Sequence, residues 1–124
     1  MQNLGINFLR CAVVYGLLGM VLGIVMAASG DHGQTPTHTH INLVGWVSMG
    51  LFGLAYRVWP ELNTGVWPKI HFWGWNLGAI GMIIGLFLMF SGRMQFVMLT
   101  AASSLVIVLS MLVFAFVIFR TRTA

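Results

Sequence analysis

The sequence predicts an all-α integral membrane protein with four transmembrane helices in one domain, residues 1–124. Composition is the first observation: 59% of residues are hydrophobic and 6% are charged, whereas a soluble domain carries about 25% charged residues. The mean hydropathy is +0.93. The second observation is four apolar runs, each close to the roughly 20 residues that a helix needs to cross a bilayer. Lipid is therefore the expected solvent for most of the surface.

The four spans are predicted at residues 8–28, 41–59, 70–90 and 96–119. Helices are favoured because every backbone polar group in lipid must be bonded within the spanning structure. The runs are too long and continuous for the alternating strands of a membrane barrel. Small residues recur at helical spacing in the first and third spans and predict close helix contacts, namely Gly16, Gly19, Gly23, Gly74, Gly78, Gly81 and Gly85.

Short polar connections join the spans, with the sequences SGDHGQTPT, PELNTGVWP and SGRM. Their glycines and prolines are typical of loops and turns, and short loops make successive helices antiparallel. Arg93 then lies on one side of the membrane, and five bases lie on the side of the two termini: Arg10, Arg57, Lys69, Arg120 and Arg122. Because basic residues favour the cytoplasmic side, both termini are predicted to be cytoplasmic. The loop with Asp31 and His32 is predicted to be periplasmic, in a bacterial inner membrane.

Composition also excludes several classes of protein. Cys11 is the only cysteine, which excludes an internal disulfide and a cysteine-cluster metal site; a buried thiol is expected. Asp31 and Glu61 are predicted on opposite sides, so no carboxylate pair forms, and neither a phosphate loop nor a nucleophile elbow is present. The net charge of +4 comes from single bases at the ends of apolar runs, which predicts membrane lipid and not nucleic acid as the partner.

The candidate site is the sequence THTHIN at the outer end of the second span. Successive helix residues turn by about 100°, so His38 and His40 point about 200° apart, which suits two ligands of neighbouring sites better than one shared ion. Asn42 and Gly45 follow, and a small residue such as Gly45 lets a planar cofactor or another helix approach. Interfacial histidines bonded to water and headgroups are the alternative, although polar residues within a span are by default a functional hypothesis.

The other two histidines are expected to have simpler roles. His71 begins the third span at the opposite side and is expected to be interfacial, beside Trp67 and Trp73. It lies about one membrane thickness from His38 and His40, so it cannot share a haem iron with them in one chain. His32 is expected to be solvated in its loop, with a surface metal site as the alternative.

Residues 38–95 resemble part of the catalytic subunit of cbb-type haem–copper oxidases, and more distantly the nitric oxide reductases. The matching pieces are HxH, then LVGWVSMGLFGLAYRVWPEL, then KIHFW. In that family the same order occurs in the tenth and eleventh of twelve helices. The resemblance covers about half of the chain; the first and fourth spans match the ninth and twelfth helices by position only.

The resemblance implies roles for single residues. His38 would bind the iron of a high-spin haem, and His40 the iron of a low-spin haem. Both haems would lie toward the outer face, in agreement with the orientation that the charges predict. The histidine of HFW, which is His71 here, does not bind haem iron in the family.

The family's other ligands are missing. Its copper site needs three further histidines and a tyrosine from other helices, so whether this chain is an enzyme stays open and it is not a complete oxidase. The second histidine of the low-spin haem is also missing. The oxidase subunit consists of three pseudo-symmetric arcs of four helices, and this chain resembles one arc. Three copies would restore twelve helices, with a haem between His40 of one copy and His38 of the next; a dimer is the alternative.

The sequence therefore predicts a membrane b-type cytochrome for electron transfer or for binding a diatomic gas, with a respiratory-chain electron donor as partner. Two histidines on iron favour electron transfer, and a single histidine leaves a position for gas. The motif CxxCH is absent, so haem b would be held non-covalently. The alternatives are a haem-free accessory or assembly subunit of a respiratory oxidase, and a periplasm-facing copper-binding membrane protein that uses His32, His38 and His40.

Overall fold

The computed structural model describes residues 3–122 as a bundle that is 86% helix and, within that range, contains no strand. Four helices are long and apolar enough to cross a membrane, as the sequence predicts. They are α1 (Leu4–Ser29), α2 (Thr35–Val58), α3 (Trp67–Met89) and α4 (Val97–Arg120). Short 3₁₀ turns at Pro60–Leu62 and Met94–Phe96 precede α3 and α4.

The start of α2 differs most from the prediction, since the helix begins at Thr35 instead of residue 41. Pro36 occupies its first turn, where the missing N–H of proline leaves no helix bond unmade. Gly30 caps the end of α1: its φ of 73° suits glycine, and its N–H donates to the Met26 carbonyl at 3.0 Å. The two histidines of THTH therefore lie within the helix and not ahead of it.

The predicted glycine contacts between α3 and α4 are confirmed. A Cβ added at Gly78 would lie 3.0 Å from the side chain of Ile107, and one at Gly74 would lie 3.3 Å from Ser110 Oγ. Both contacts are tight, so only glycine lets the helices approach this closely. The α1 glycines serve α2 in the same way: a Cβ at Gly16 would lie 3.1 Å from the Trp46 ring.

Gly45 offers a direct test of the α1–α2 contact. A Cβ at this position would lie 2.5 Å from Cβ and Cγ of Tyr15, so Gly45→Ala should lower the free energy of unfolding by about 1–3 kcal/mol as the helices separate. Gly50→Ala is the matched control on the same helix, because its Cβ would meet nothing within 4 Å. Thermal unfolding in detergent measures both variants, and equal losses would contradict the packing.

Large aromatic side chains fill one half of the bundle. We name the end with Leu4, Val58, Trp67 and Arg120 the terminal end, and the end with Ser29, Thr35, Met89 and Val97 the histidine end. Seven rings from all four helices meet in the terminal half and form the aromatic core: Phe8, Phe52, Tyr56, His71, Phe72, Trp75 and Phe114. In the histidine half, the buried side chains are smaller or unbranched, among them Met26, Thr37, Ile41, Met82 and Ser103.

His71 lies at the centre of the aromatic core, so the expectation of an interfacial role for it is wrong. Its side chain is fully buried, lies edge-on to Phe52 at 4.4 Å and stacks on Phe114 at 4.7 Å between ring centroids. Its Nδ1 shares a 3.0 Å hydrogen bond with the Tyr56 hydroxyl. Rings from the three neighbouring helices surround His71 and replace the water that an interfacial histidine would contact.

Candidate functional site

His38 points from α2 toward α1. Its Nδ1 lies 2.8 Å from the carbonyl oxygen of Gly19, and its Cε1 would be 2.9 Å from a Cβ placed at Gly23. The two glycines thus provide the space in which the half-buried ring packs against α1. No local signal in the sequence indicates this contact, because Gly19 is distant along the chain.

His40 lies on a different face of α2, as the helical spacing predicts. Its Nδ1 is 2.7 Å from the carbonyl oxygen of Pro36, one turn earlier in the same helix. The His40 side chain is half-exposed, so a neighbouring molecule can reach it more easily than it can reach a buried side chain. The i−4 spacing of Pro36 and His40 is the sequence signal that could have predicted this bond.

The two hydrogen bonds define which nitrogen of each ring carries the proton. A backbone carbonyl only accepts, so Nδ1 carries the proton in both His38 and His40. Each Nε2 then carries a lone pair, which in His38 lies 3.5 Å from the Asn42 amide nitrogen and in His40 has no described hydrogen-bond partner. Histidines that bind metals commonly donate the other ring N–H to a carbonyl in this manner, which fixes both the tautomer and the ring orientation.

Asn42 and Gly45 lie in the α1–α2 contact. The Asn42 amide donates to the His38 carbonyl at 3.0 Å, and its Nδ2 is 3.4 and 3.5 Å from the two ring nitrogens of His38. Asn42 therefore lies beside the His38 ring and helps to position it. Tyr15 fills the space over Gly45, so within one chain this glycine admits a helix and not a planar cofactor.

A π-helical segment, Ile41–Val47, follows the histidines directly. Ser48 shows the wider turn, since its backbone N–H bonds to the Leu43 carbonyl five residues earlier and its hydroxyl donates to the same oxygen at 2.7 Å. On α3, the indole N–H of Trp75 donates to the Val44 carbonyl at 2.9 Å. Single π-turns inside α-helices are frequent at functional sites; the hydropathy of this span predicts a helix but does not indicate its π-helical part.

Trp75→Phe is expected to lower the free energy of unfolding by about 1 kcal/mol, because the Val44 carbonyl loses its side-chain donor while an aromatic ring is retained. Trp73→Phe is the matched control, since that indole is 57% exposed on the same helix. Denaturant titrations of both variants in detergent, followed by circular dichroism, measure the difference. An unchanged midpoint for Trp75→Phe would contradict a role for this bond in holding the π-segment.

The remaining polar groups are dispersed. His32 lies exposed in the loop with its Nδ1 3.2 Å from the Gly30 carbonyl, and Asp31 and Glu61 lie at opposite ends of the bundle as predicted. Within residues 3–122, no three side chains of His, Cys, Asp or Glu come together as a metal site.

No protein-family model, curated protein or solved structure matches this chain. The functional proposal accordingly depends on the geometry of the histidines and on the sequence resemblance described above.

Proposed function

We propose that the chain is a membrane b-type haem protein that transfers electrons, with His40 and His38 as axial ligands from different copies. The observation that carries the proposal is the pair of bonds from Nδ1 of His38 and His40 to backbone carbonyls, at 2.8 and 2.7 Å. The bond of His40 leaves its Nε2 as a neutral, oriented donor, which is the form of imidazole that binds iron. His38 Nε2 lies 3.5 Å from the Asn42 amide nitrogen, which would have to turn away for iron to bind.

The chemistry of these residues fits a haem, and haem b would supply a one-electron iron couple held without a covalent bond to the protein. His40 would bind iron from the half-exposed side of α2. Asn42 would position the turn that carries His38 through its bond to the His38 carbonyl. Gly45, which lies under Tyr15, has no part in this proposal.

Two features support a site between copies. His38 and His40 point to different faces of one helix, so both rings cannot serve opposite sides of a single porphyrin within one chain. The helices also expose wide apolar surfaces, with Leu17 59%, Ile24 68% and Leu105 66% accessible, which lipid or further copies would cover. We propose a homotrimer in which His40 of one copy and His38 of the next hold each haem, with a dimer as the rival assembly.

Insertion into a membrane is part of the same proposal. Arg57, Lys69 and Arg120 lie at the terminal end, while Arg93 lies in the turn at the histidine end. This asymmetry supports a cytoplasmic terminal end and a periplasmic histidine end in a bacterial inner membrane. The haem would then lie near the periplasmic surface, within reach of a respiratory electron donor.

The absorbance spectrum of the purified protein, with and without carbon monoxide, tests the proposal. Two histidines on iron predict a six-coordinate low-spin spectrum that carbon monoxide leaves unchanged. A shift with carbon monoxide would show an open position and favour gas binding.

The mass of the solubilised complex and its haem-to-chain ratio test the assembly. A colourless monomer would overturn the haem proposal, and co-purification with oxidase subunits or bound copper would then favour the alternative functions.

A further inference from the structure

An apolar groove of about 360 Å³ runs between α3 and α4 on the outer surface of the bundle, at its terminal end. Trp67 of α3 and four side chains of α4 form its walls, the latter being Leu109, Leu112, Val113 and Phe116. The Trp67 and Phe116 rings meet edge to face, with centroids 5.4 Å apart. Because the surface of the groove is almost wholly apolar, it fits a hydrocarbon chain and not a polar group.

A polar pocket, also of about 360 Å³, opens at the same end of the bundle. Two arginines, two threonines and one acid line it: Glu61, Thr64, Arg120, Thr121 and Arg122. The Arg120 guanidinium is held there, because its Nη2 donates to the Thr64 carbonyl and lies 3.5 Å from the Thr64 hydroxyl. Neither arginine forms an ion pair with Glu61 within residues 3–122. The pocket therefore presents two positive charges against one negative charge.

Arg120 joins the groove to the pocket. Its guanidinium carbon lies 5.6 Å from the centroid of the Phe116 ring, within the range of a cation–π contact. At a rise of 1.5 Å per residue, the groove covers about 10 Å of α4 from Leu109 to Phe116, and Arg120 lies about 6 Å farther on. The combined length of about 16 Å matches one leaflet, which is half of a hydrocarbon core about 30 Å thick.

We propose that the groove and the pocket together bind one anionic phospholipid. An acyl chain would lie in the groove, and the phosphate would bond to Arg120 and Arg122, since a guanidinium offers a phosphate two parallel N–H donors. Charge decides the class of lipid. A headgroup with a net negative charge balances the excess positive charge of the pocket, whereas phosphatidylcholine and phosphatidylethanolamine are neutral overall and leave it unbalanced.

The inference deepens the proposed function by naming a lipid partner, and it rests on the proposed membrane insertion but not on haem. The terminal end is the end proposed to be cytoplasmic, so the lipid would belong to the cytoplasmic leaflet. Basic side chains near that surface are attracted to anionic lipids.

Native mass spectrometry of the full chain in detergent, with phosphatidylglycerol, phosphatidylethanolamine or phosphatidylcholine added at equal concentrations, tests the site. One phosphatidylglycerol per chain should be retained, with a Kd at least about tenfold below that of either other lipid. Arg122→Gln changes an exposed side chain and should raise this Kd about tenfold, as expected for one lost hydrogen bond to a charged group. Arg93→Gln is the matched control, because Arg93 is exposed in the turn at the histidine end, and its Kd should be unchanged.

Glu61→Gln tests the charge argument from the other direction. The change removes the one negative charge of the pocket and should lower the Kd for phosphatidylglycerol. A raised Kd in a folded Glu61→Gln chain, or tighter retention of phosphatidylethanolamine than of phosphatidylglycerol, would show that Glu61 pairs with a headgroup ammonium. Either result would overturn the assignment to an anionic lipid.

Steric variants provide a second matched pair. Leu112→Trp narrows the groove and should raise the Kd for phosphatidylglycerol, whereas Leu105→Trp, at a side chain of similar exposure two turns away (66% against 59%), should leave it unchanged. Equal Kd values for the three lipids, or an unaltered Kd in both Arg122→Gln and Leu112→Trp, would overturn the proposal. Loss of an oligomer in Leu112→Trp with unchanged lipid retention would also overturn it, because a second copy would then occupy the groove.

The haem and lipid proposals fail separately in this design. His40→Ala should lose haem and keep the Kd for phosphatidylglycerol, since His40 lies at the end opposite to the pocket. A colourless chain that retains phosphatidylglycerol as expected would contradict the haem proposal and support the lipid site. A haem-loaded chain without lipid preference would contradict the lipid site alone. Extraction of the chain from membranes by alkaline carbonate would contradict the insertion on which both depend.

Discussion

His40→Ala should reduce the haem bound per chain at least about tenfold, the scale of loss seen when the groups that support a metal site are removed. The substitution removes a half-exposed ring that bonds to the Pro36 carbonyl of its own helix, so α2 should remain folded. Absorbance at the haem band, normalised to chain concentration, measures the loss, and the low-spin signal should disappear with it.

His32→Ala is the matched control for this experiment. It is the same substitution at an exposed loop histidine whose Nδ1 also lies near a backbone carbonyl, that of Gly30 at 3.2 Å. Haem content should be unchanged in His32→Ala. Equal haem in His40→Ala and the unaltered chain would refute His40 as a ligand, because no compensating histidine adjoins it on the same face of the helix.

His71→Ala should lower the free energy of unfolding by about 3 kcal/mol or more, the largest stability effect expected in this chain. The change opens a cavity among the rings of the aromatic core and leaves the Tyr56 hydroxyl without its partner. Chemical denaturation in detergent, followed by tryptophan fluorescence, measures the loss. A loss below about 1 kcal/mol would contradict the burial of His71, since surface substitutions have effects of that size.

The double variant Tyr56→Phe with His71→Phe separates packing from polarity. His71 Nε2 is buried without a hydrogen-bond partner among residues 3–122, and an unpaired buried polar atom is destabilising. Replacing both polar groups by apolar rings should therefore cost much less than His71→Ala, although Phe is larger than His and the neighbouring rings must shift to admit it, whereas Tyr56→Phe alone should cost about 1 kcal/mol. A double variant as unstable as His71→Ala would indicate that the hydrogen bond, and not packing, holds this region together.

Hydropathy and glycine spacing predict the architecture well because they express two strong constraints. Apolar runs of about 20 residues have few stable arrangements other than long helices, and the four helices form where they are expected. Glycines at helical spacing mark close approach between helices, as Gly78 against Ile107 confirms. The start of α2 is the least accurate prediction, because residues 35–40 are polar and a hydropathy pattern does not identify them as part of the helix. Pro36 is the local signal that favours a helix start there.

The sequence by itself determined the number and length of the helices and the divergence of His38 from His40, since periodicity along one helix depends only on local geometry. Only the tertiary structure decided three other features. The Gly19 carbonyl orients the His38 ring, Tyr15 fills the space over Gly45, and rings from other helices enclose His71. The bond from Trp75 of α3 to the Val44 carbonyl of the π-segment is likewise a contact between distant residues. These features arise from contacts between residues far apart in the chain, and no pattern within one helix specifies which side chain a neighbouring helix will bring to it.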